Sequence, residues 1–173
     1  MRPVATIDTH AGFDARDLRA ALGSFATGVA IVTTVTDSGE RVGLTVNSFS
    51  SVSLDPPLVL WSLDLKSPSL SFFEKASHYA VNVLAADQEE LSNRFASRIP
   101  DKFAGLDCVE GIAGVPLLPG CLSWFECALD VSYTAGDHLI LIGHVDRFAH
   151  DKSKAPSDAL VFQGGGYRRI ASA

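Results

Sequence analysis

The run Val29-Ala30-Ile31-Val32-Thr33-Thr34-Val35-Thr36 constrains this chain more than any other stretch of it. Almost every residue in it is β-branched, which disfavours helix and suits a pleated strand. Asp37-Ser38-Gly39-Glu40 then supplies turn chemistry, and Arg41 to Ser48 returns as a second strand, so the segment predicts an antiparallel hairpin. Asp55-Pro56-Pro57 separates a third strand, Ser51 to Leu54, from a fourth, the apolar run Leu58 to Leu63. His78 to Ala85 reads as another strand. Cys121 to Thr134 alternates, with Phe125, Cys127, Leu129, Val131 and Tyr133 on one face and Glu126, Asp130 and Ser132 on the other. Ala135-Gly136-Asp137 turns the chain into His138 to Phe148, and Gly164-Gly165-Gly166 joins a closing hairpin between Ala159 to Phe162 and Tyr167 to Ile170.

Helices are few and short. Asp14 is placed to cap one whose stripe is Leu18, Ala21, Leu22 and Phe25, with Gly28 as its end. Ser67 and Pro68 open a second that carries Leu70 and Phe73. Asp87 to Glu90 has capping-box spacing ahead of a third, with Leu91 and Phe95 on one side and Pro100 beyond its end. Many strands in hairpins, without strand-helix-strand alternation, predict a mainly β protein with short helices, built as a closed or nearly closed antiparallel barrel.

The 173 residues show no internal repeat or linker, so one domain over 1–173 is expected, with 1–13 as a loose N-terminal arm. An apolar share of 47% against 20% charged excludes disorder and points to apolar surface buried between copies of the chain. The net charge of -6 gives no electrostatic footprint for nucleic acid or an anionic membrane. Cys108, Cys121 and Cys127 form no CxxC pair and read as reduced thiols. The first residues lack the apolar core of a signal peptide, and Gly23, Gly28 and hydroxyls interrupt the longest uncharged run, so a soluble cytoplasmic protein is expected.

Several catalytic engines are missing: there is no GxSxG, Walker loop, HExxH or complete GxGxxG, since Arg169 stands where the last glycine of that pattern belongs. His10, His78, His138, His144 and His150 have no ligand spacing, so no metal site is expected. Three clusters remain. The stretch Gly43 to Pro57 carries the hydroxyls of Thr45, Ser48, Ser50, Ser51 and Ser53 with the amide of Asn47 on what reads as buried strand; these groups either close turns or meet a ligand. Lys66-Ser67-Pro68-Ser69 is a phosphate seat or a plain helix cap. His138, after Gly136-Asp137, is a hydrogen-bonding group near neutral pH or simple surface.

Taken in order, these pieces resemble the flavin reductase family, small FMN-binding split-barrel proteins that serve as reductase components of two-component flavin monooxygenases. The resemblance rests on Phe25 to Thr34, Gly43 to Leu60, Tyr79 to Leu84, Gln88 with Leu91, Phe95-Ala96, Lys102-Phe103 and Gly136-Asp137-His138 with Ile140, Gly143 and Val145. It implies an antiparallel split β-barrel that takes FMN or FAD, accepts hydride from NADH or NADPH, forms a homodimer and serves a separate oxygenase. It also implies roles. Thr45, Asn47, Ser48, Ser50, Ser51, Val52 and Ser53 would meet the flavin ring and ribityl chain; Lys66, Ser67, Ser69 and Lys102 its phosphate; Phe95 and Phe103 would be pocket walls. Tyr167 would pack nearby, and His138 would help place the hydride donor. The chain departs from the family near its end, where Asp158-Ala159-Leu160 follows the polar loop His150 to Ser157. A flavin carrier without enzymatic activity and a haem-binding split barrel are the competing readings.

Overall fold

A computed structural model describes residues 14–155 and 158–171; the expected arm at 1–13 lies outside them. In chain order come α1 (Ala15–Leu22), β1 (Thr27–Gly28), β2 (Ala30–Val35), β3 (Arg41–Val46), β4 (Ser50–Leu54), β5 (Pro57–Asp64), α2 (Leu70–Lys75), β6 (His78–Val83) and α3 (Glu89–Ala96). There follow β7 (Val109–Glu110), a single 3-10 turn (Ile112–Gly114), β8 (Pro116–Leu117), β9 (Ser123–Ala135), β10 (His138–His150), β11 (Val161–Gln163) and β12 (Gly166–Arg168).

Seven strands form one antiparallel sheet in the order β3-β2-β6-β9-β10-β5-β4. Although consecutive in sequence, β3 and β4 therefore stand at opposite edges, joined only by Asn47-Ser48-Phe49. Laid flat, six inter-strand gaps would hold those edges about 29 Å apart. The link from Val46 to Ser50 reaches at most about 14 Å. The sheet must therefore curl until its edges nearly meet. Among the described residues no ladder joins β3 to β4, so the barrel is closed by chain but open by hydrogen bonding. Within that link Ser48 continues the β4–β5 register past Ser50–Leu60: its hydroxyl donates to the Ser62 carbonyl at 3.1 Å and accepts from the Ser62 N–H at 2.9 Å.

Strand β2 lies between two cores. Ala30 and Val32 pack with Trp61, Phe73, Tyr79 and Leu141 inside the barrel, while Val29 and Ile31 pack with Leu84, Phe95, Leu118 and Leu160 outside it. Burial on both faces explains why the sequence there is unbroken by charge. The second core is roofed by α3 and the β11–β12 hairpin, whose Phe162 and Tyr167 lie against it.

Four local expectations differ. Helix α1 is capped by Asp14, which accepts from the N–H groups of Arg16 at 2.7 Å and Asp17 at 3.2 Å. It stops at Gly23 rather than Gly28, because Gly28 pairs with Val161 in β1. Ser67 accepts from Ser69 N–H in a turn, and α2 begins only at Leu70. No capping box forms at Asp87 to Glu90, since Gln88 bridges the Ala85 N–H and the Pro119 carbonyl instead. Glu126 is 4% exposed although alternation puts it on the solvent face. Both its oxygens take Arg147, at 2.6 and 2.7 Å, and one also takes Ile112 N–H at 2.6 Å. Burial alone would raise its pKa, but those bonds outweigh it and hold the carboxyl below the ordinary range.

Candidate flavin site

The unclosed seam determines what the hydroxyl-rich segment can do. An edge strand leaves main-chain donors and acceptors unpaired, and here two edges face each other across a three-residue link. The hydroxyls divide into two sets. Thr45 donates to the Ser92 carbonyl at 2.6 Å, Ser48 is spent on Ser62, and Ser53 accepts from Asp55 N–H at 3.2 Å to close a turn. Ser50 makes only a 3.2 Å bond to the Ser51 carbonyl. Asn47, Ser51 and Val52 are exposed, and the Asn47 and Ser51 side chains have no protein partner among the described residues. The turn-closing alternative thus holds for Ser53, whereas the Asn47 and Ser51 groups remain open.

Beside β3 lies an open cleft of about 890 Å³ that brings together Lys66 and Ser69 ahead of α2 with Lys102 and Phe103 after α3. Arg41 and Arg98 also line it, against the carboxylates of Glu40 and Asp101. Arg41 has only a 3.9 Å approach to Glu110, and the Lys66 and Arg98 side chains have no protein partner among the described residues. Uncommitted cations in a cleft suit an anionic ligand.

Lys102 differs from them. Its ammonium donates to the Phe95 carbonyl at 2.7 Å and the Gly43 carbonyl at 3.3 Å, and burial pushes its pKa below the usual lysine value. Its charge is used to join α3 to β3. Phe95 is fully buried and stands behind the cleft, edge-on to Phe103 with ring centroids 4.9 Å apart. Gly43 makes this possible: a Cβ there would come within 2.7 Å of the Phe95 ring.

His138 opens β10 opposite Asp64, and the Asp137 carbonyl accepts from Leu65 N–H at 3.0 Å, so the histidine sits over the strand end that leads to Lys66. Its Nδ1 lies 2.7 Å from the Asp137 carboxylate, whose pKa that hydrogen bond lowers. An Nδ1–H given to Asp137 leaves Nε2 directed elsewhere, on a half-exposed ring. The Tyr167 hydroxyl is not in the cleft; it lies behind α3, 2.8 Å from Ser92 Oγ. Burial pushes the Cys121 and Cys127 thiols up to about 12 and raises that of the partly buried Cys108 as well, which disfavours the nucleophilic thiolate at each.

Sequence reasoning missed Arg41, Arg98 and Ser92. Arg41 and Arg98 carry no local motif, and Ser92 acquires its meaning from Thr45 and Tyr167, which are 47 and 75 residues away.

An antiparallel barrel split along one seam, with a cationic cleft at its β3 edge, is the class of protein the fold defines, and it offers unpaired strand edges and positive charge to an anionic ligand. The family described as Flavin reductase like domain matches residues 22–171, and the chain belongs to it. It is 47% identical over 160 residues to the FMN reductase (NADH) SmoA of Agrobacterium fabrum, covering 92% of this chain and 88% of that one. It is also 47% identical, over 90% of its length, to the reductase component of flavin-dependent trigonelline monooxygenase from Acinetobacter baylyi, of which it spans about half, 47%. Among solved structures it matches the NADH:FAD oxidoreductase SgcE6 of Streptomyces globisporus, in complex with NAD and FAD fragments, with a TM-score of 0.85 and 37% identity over 91% of this chain and 93% of that one.

Proposed function

We propose that this protein is an NADH-dependent flavin reductase whose reduced product passes to a separate monooxygenase component. The observation that carries this reading is that β3 borders both features: its edge faces the open seam that leads to unpartnered Asn47 and Ser51, and its Arg41–Gly43 end lines a cleft with unpartnered Lys66 and Arg98. Flavin, FMN or FAD, supplies the redox chemistry itself when bound, which is why the chain needs no nucleophile or acid-base triad. The chain's task is to bind and orient. Backbone and small side chains from Asn47 to Val52 face the ring and ribityl chain, because small residues let main chain approach a flat heterocycle closely. Lys66, Ser67 and Ser69 hold the phosphate. Lys102 and Phe95 build the wall behind, and Phe103 forms its surface. His138, oriented by Asp137, helps hold the nicotinamide of the donor.

The same reading makes the chain one reductase domain working as a cytoplasmic homodimer. Helix α1 has no buried residue, and Leu22 and Phe25 are 67% and 76% exposed, which supports a second copy covering that surface. No helix among the described residues is long and apolar enough to cross a membrane.

The test is anaerobic mixing of purified protein with NADH and either FMN or FAD, followed by absorbance. Flavin bleaching that needs both protein and NADH is expected; intact protein that binds neither flavin, or binds one without bleaching it, refutes the reading. His138→Ala is expected to weaken use of NADH more than binding of flavin.

A further inference from the structure

Two hydrogen bonds link the closing hairpin to β3 through Ser92, and a third ties the same phenol to Asn93. Ser92, fully buried in α3, lies 2.8 Å from the Tyr167 hydroxyl, which donates to Asn93 Oδ1 at 3.1 Å. A phenol has one hydrogen, and with that given to Asn93 the Ser92 hydroxyl must be the donor to Tyr167. On its main-chain side Ser92 accepts the Thr45 hydroxyl at 2.6 Å. Thr45 has then spent its only hydrogen and offers other groups lone pairs alone. Arg41, Gly43 and Thr45 alternate onto one face of β3, the face that meets α3, and the first two line the cationic cleft. Thr45 is thus the next position on that face along β3, on the way from the cleft to the link that bridges the seam.

We infer that Ser92 and Tyr167 are positioning residues which, through the Tyr167–Ser92–Thr45 bridge, hold Thr45 as a fixed hydrogen-bond acceptor for a ligand N–H in the seam. This rests on the flavin reading above and makes the last hairpin, β11–β12, part of the binding site without touching the ligand. The bridge sets α3 at a defined height over β3, and Lys102 fastens the end of the same helix through the Phe95 and Gly43 carbonyls. Its orientation also selects the ligand: an acceptor favours a heterocycle with an N–H, such as the imide of an isoalloxazine.

Tyr167→Phe isolates the bridge, because the ring keeps its edge-on packing against Phe162 at 5.5 Å and only the hydroxyl is lost. FMN titrated against the protein's tryptophan fluorescence is expected to give a Kd about five- to tenfold weaker in this variant, the range for loss of one hydrogen bond. Ser92→Ala should weaken FMN to a similar degree, and the double variant no more than the weaker single one, since both remove one bridge. Thr45→Ser should retain affinity and Thr45→Val lose it. A lowered Tm with unchanged FMN affinity in Tyr167→Phe, or additive losses in the double variant, overturns the inference and leaves the reductase reading intact. Wild-type protein that binds no FMN or FAD overturns both.

Discussion

The two walls of the seam are built oppositely. On the β3 side the groups turned toward α3 are committed: the Gly43 carbonyl to Lys102, the Thr45 hydroxyl to Ser92, and the space above Gly43 to the Phe95 ring. On the β4 side Ser50, Ser51 and Val52 are exposed, and the two serine hydroxyls make at most a local bond. One wall is rigid before any ligand arrives and the other gains its partners from the ligand. A site of this kind places a ring accurately with one hand and takes hold with the other, so mutations on the two sides should differ in kind as well as in size.

The largest contrast is expected at Gly43. Gly43→Ala puts a methyl into the buried Phe95 ring, costing about 2–3 kcal/mol in overpacking and lowering Tm together with flavin binding. Unchanged Tm in that variant would show that the β3 wall is not rigid. Next come two lysines of the same cleft. Lys102→Met strands two carbonyls and is expected to cost about 1 kcal/mol of stability. Lys66→Met should leave denaturant midpoints in place and weaken flavin binding, with the deficit shrinking as salt is raised. If both lower stability equally, the division between structural and ligand-facing cations fails. Smaller still, Ser51→Ala should move stability by less than about 0.5 kcal/mol while raising the flavin Kd several-fold in a direct titration.

The smallest effect is a pH dependence. Burial lowers the Lys102 pKa in the folded state, so folding disfavours its charged form. As pH rises from the folded value toward the unfolded one, that disfavour is relieved, and wild type should gain stability relative to Lys102→Met over this alkaline window. Parallel stability profiles for the two proteins would show that the ammonium is not desolvated.

Much of the β framework was legible because local chemistry and global fold agree there. The β2–β3 hairpin follows from a β-branched run and a turn, and Asp14 caps its helix as its position suggests. The misread positions are those where a distant partner wins. Gln88 is taken by Pro119, so the capping spacing at Asp87 to Glu90 has no effect. Glu126 keeps its face in the alternation, but Arg147 directly opposite on β10 and the Ile112 N–H of the 3-10 turn claim its carboxylate there. At the site, the hydroxyl segment and Lys66 stand out as types out of place in a strand or beside a helix. Lys102 stands out equally, yet its charge is spent on carbonyls, a distinction that depends on how α3 docks. Nothing near Ser92 in the chain announces its role.

One strand carries both cores. Because β2 is sealed on its two faces and paired along both edges, neither core can open while it remains in place, and it cannot leave without dissolving both. Its amide protons therefore have no local route to solvent and should exchange only through global unfolding, as the slowest set in the molecule. The barrel interior and the outer core that roofs the binding wall would then melt as one cooperative unit, so the ligand-binding architecture has no stability separate from that of the whole.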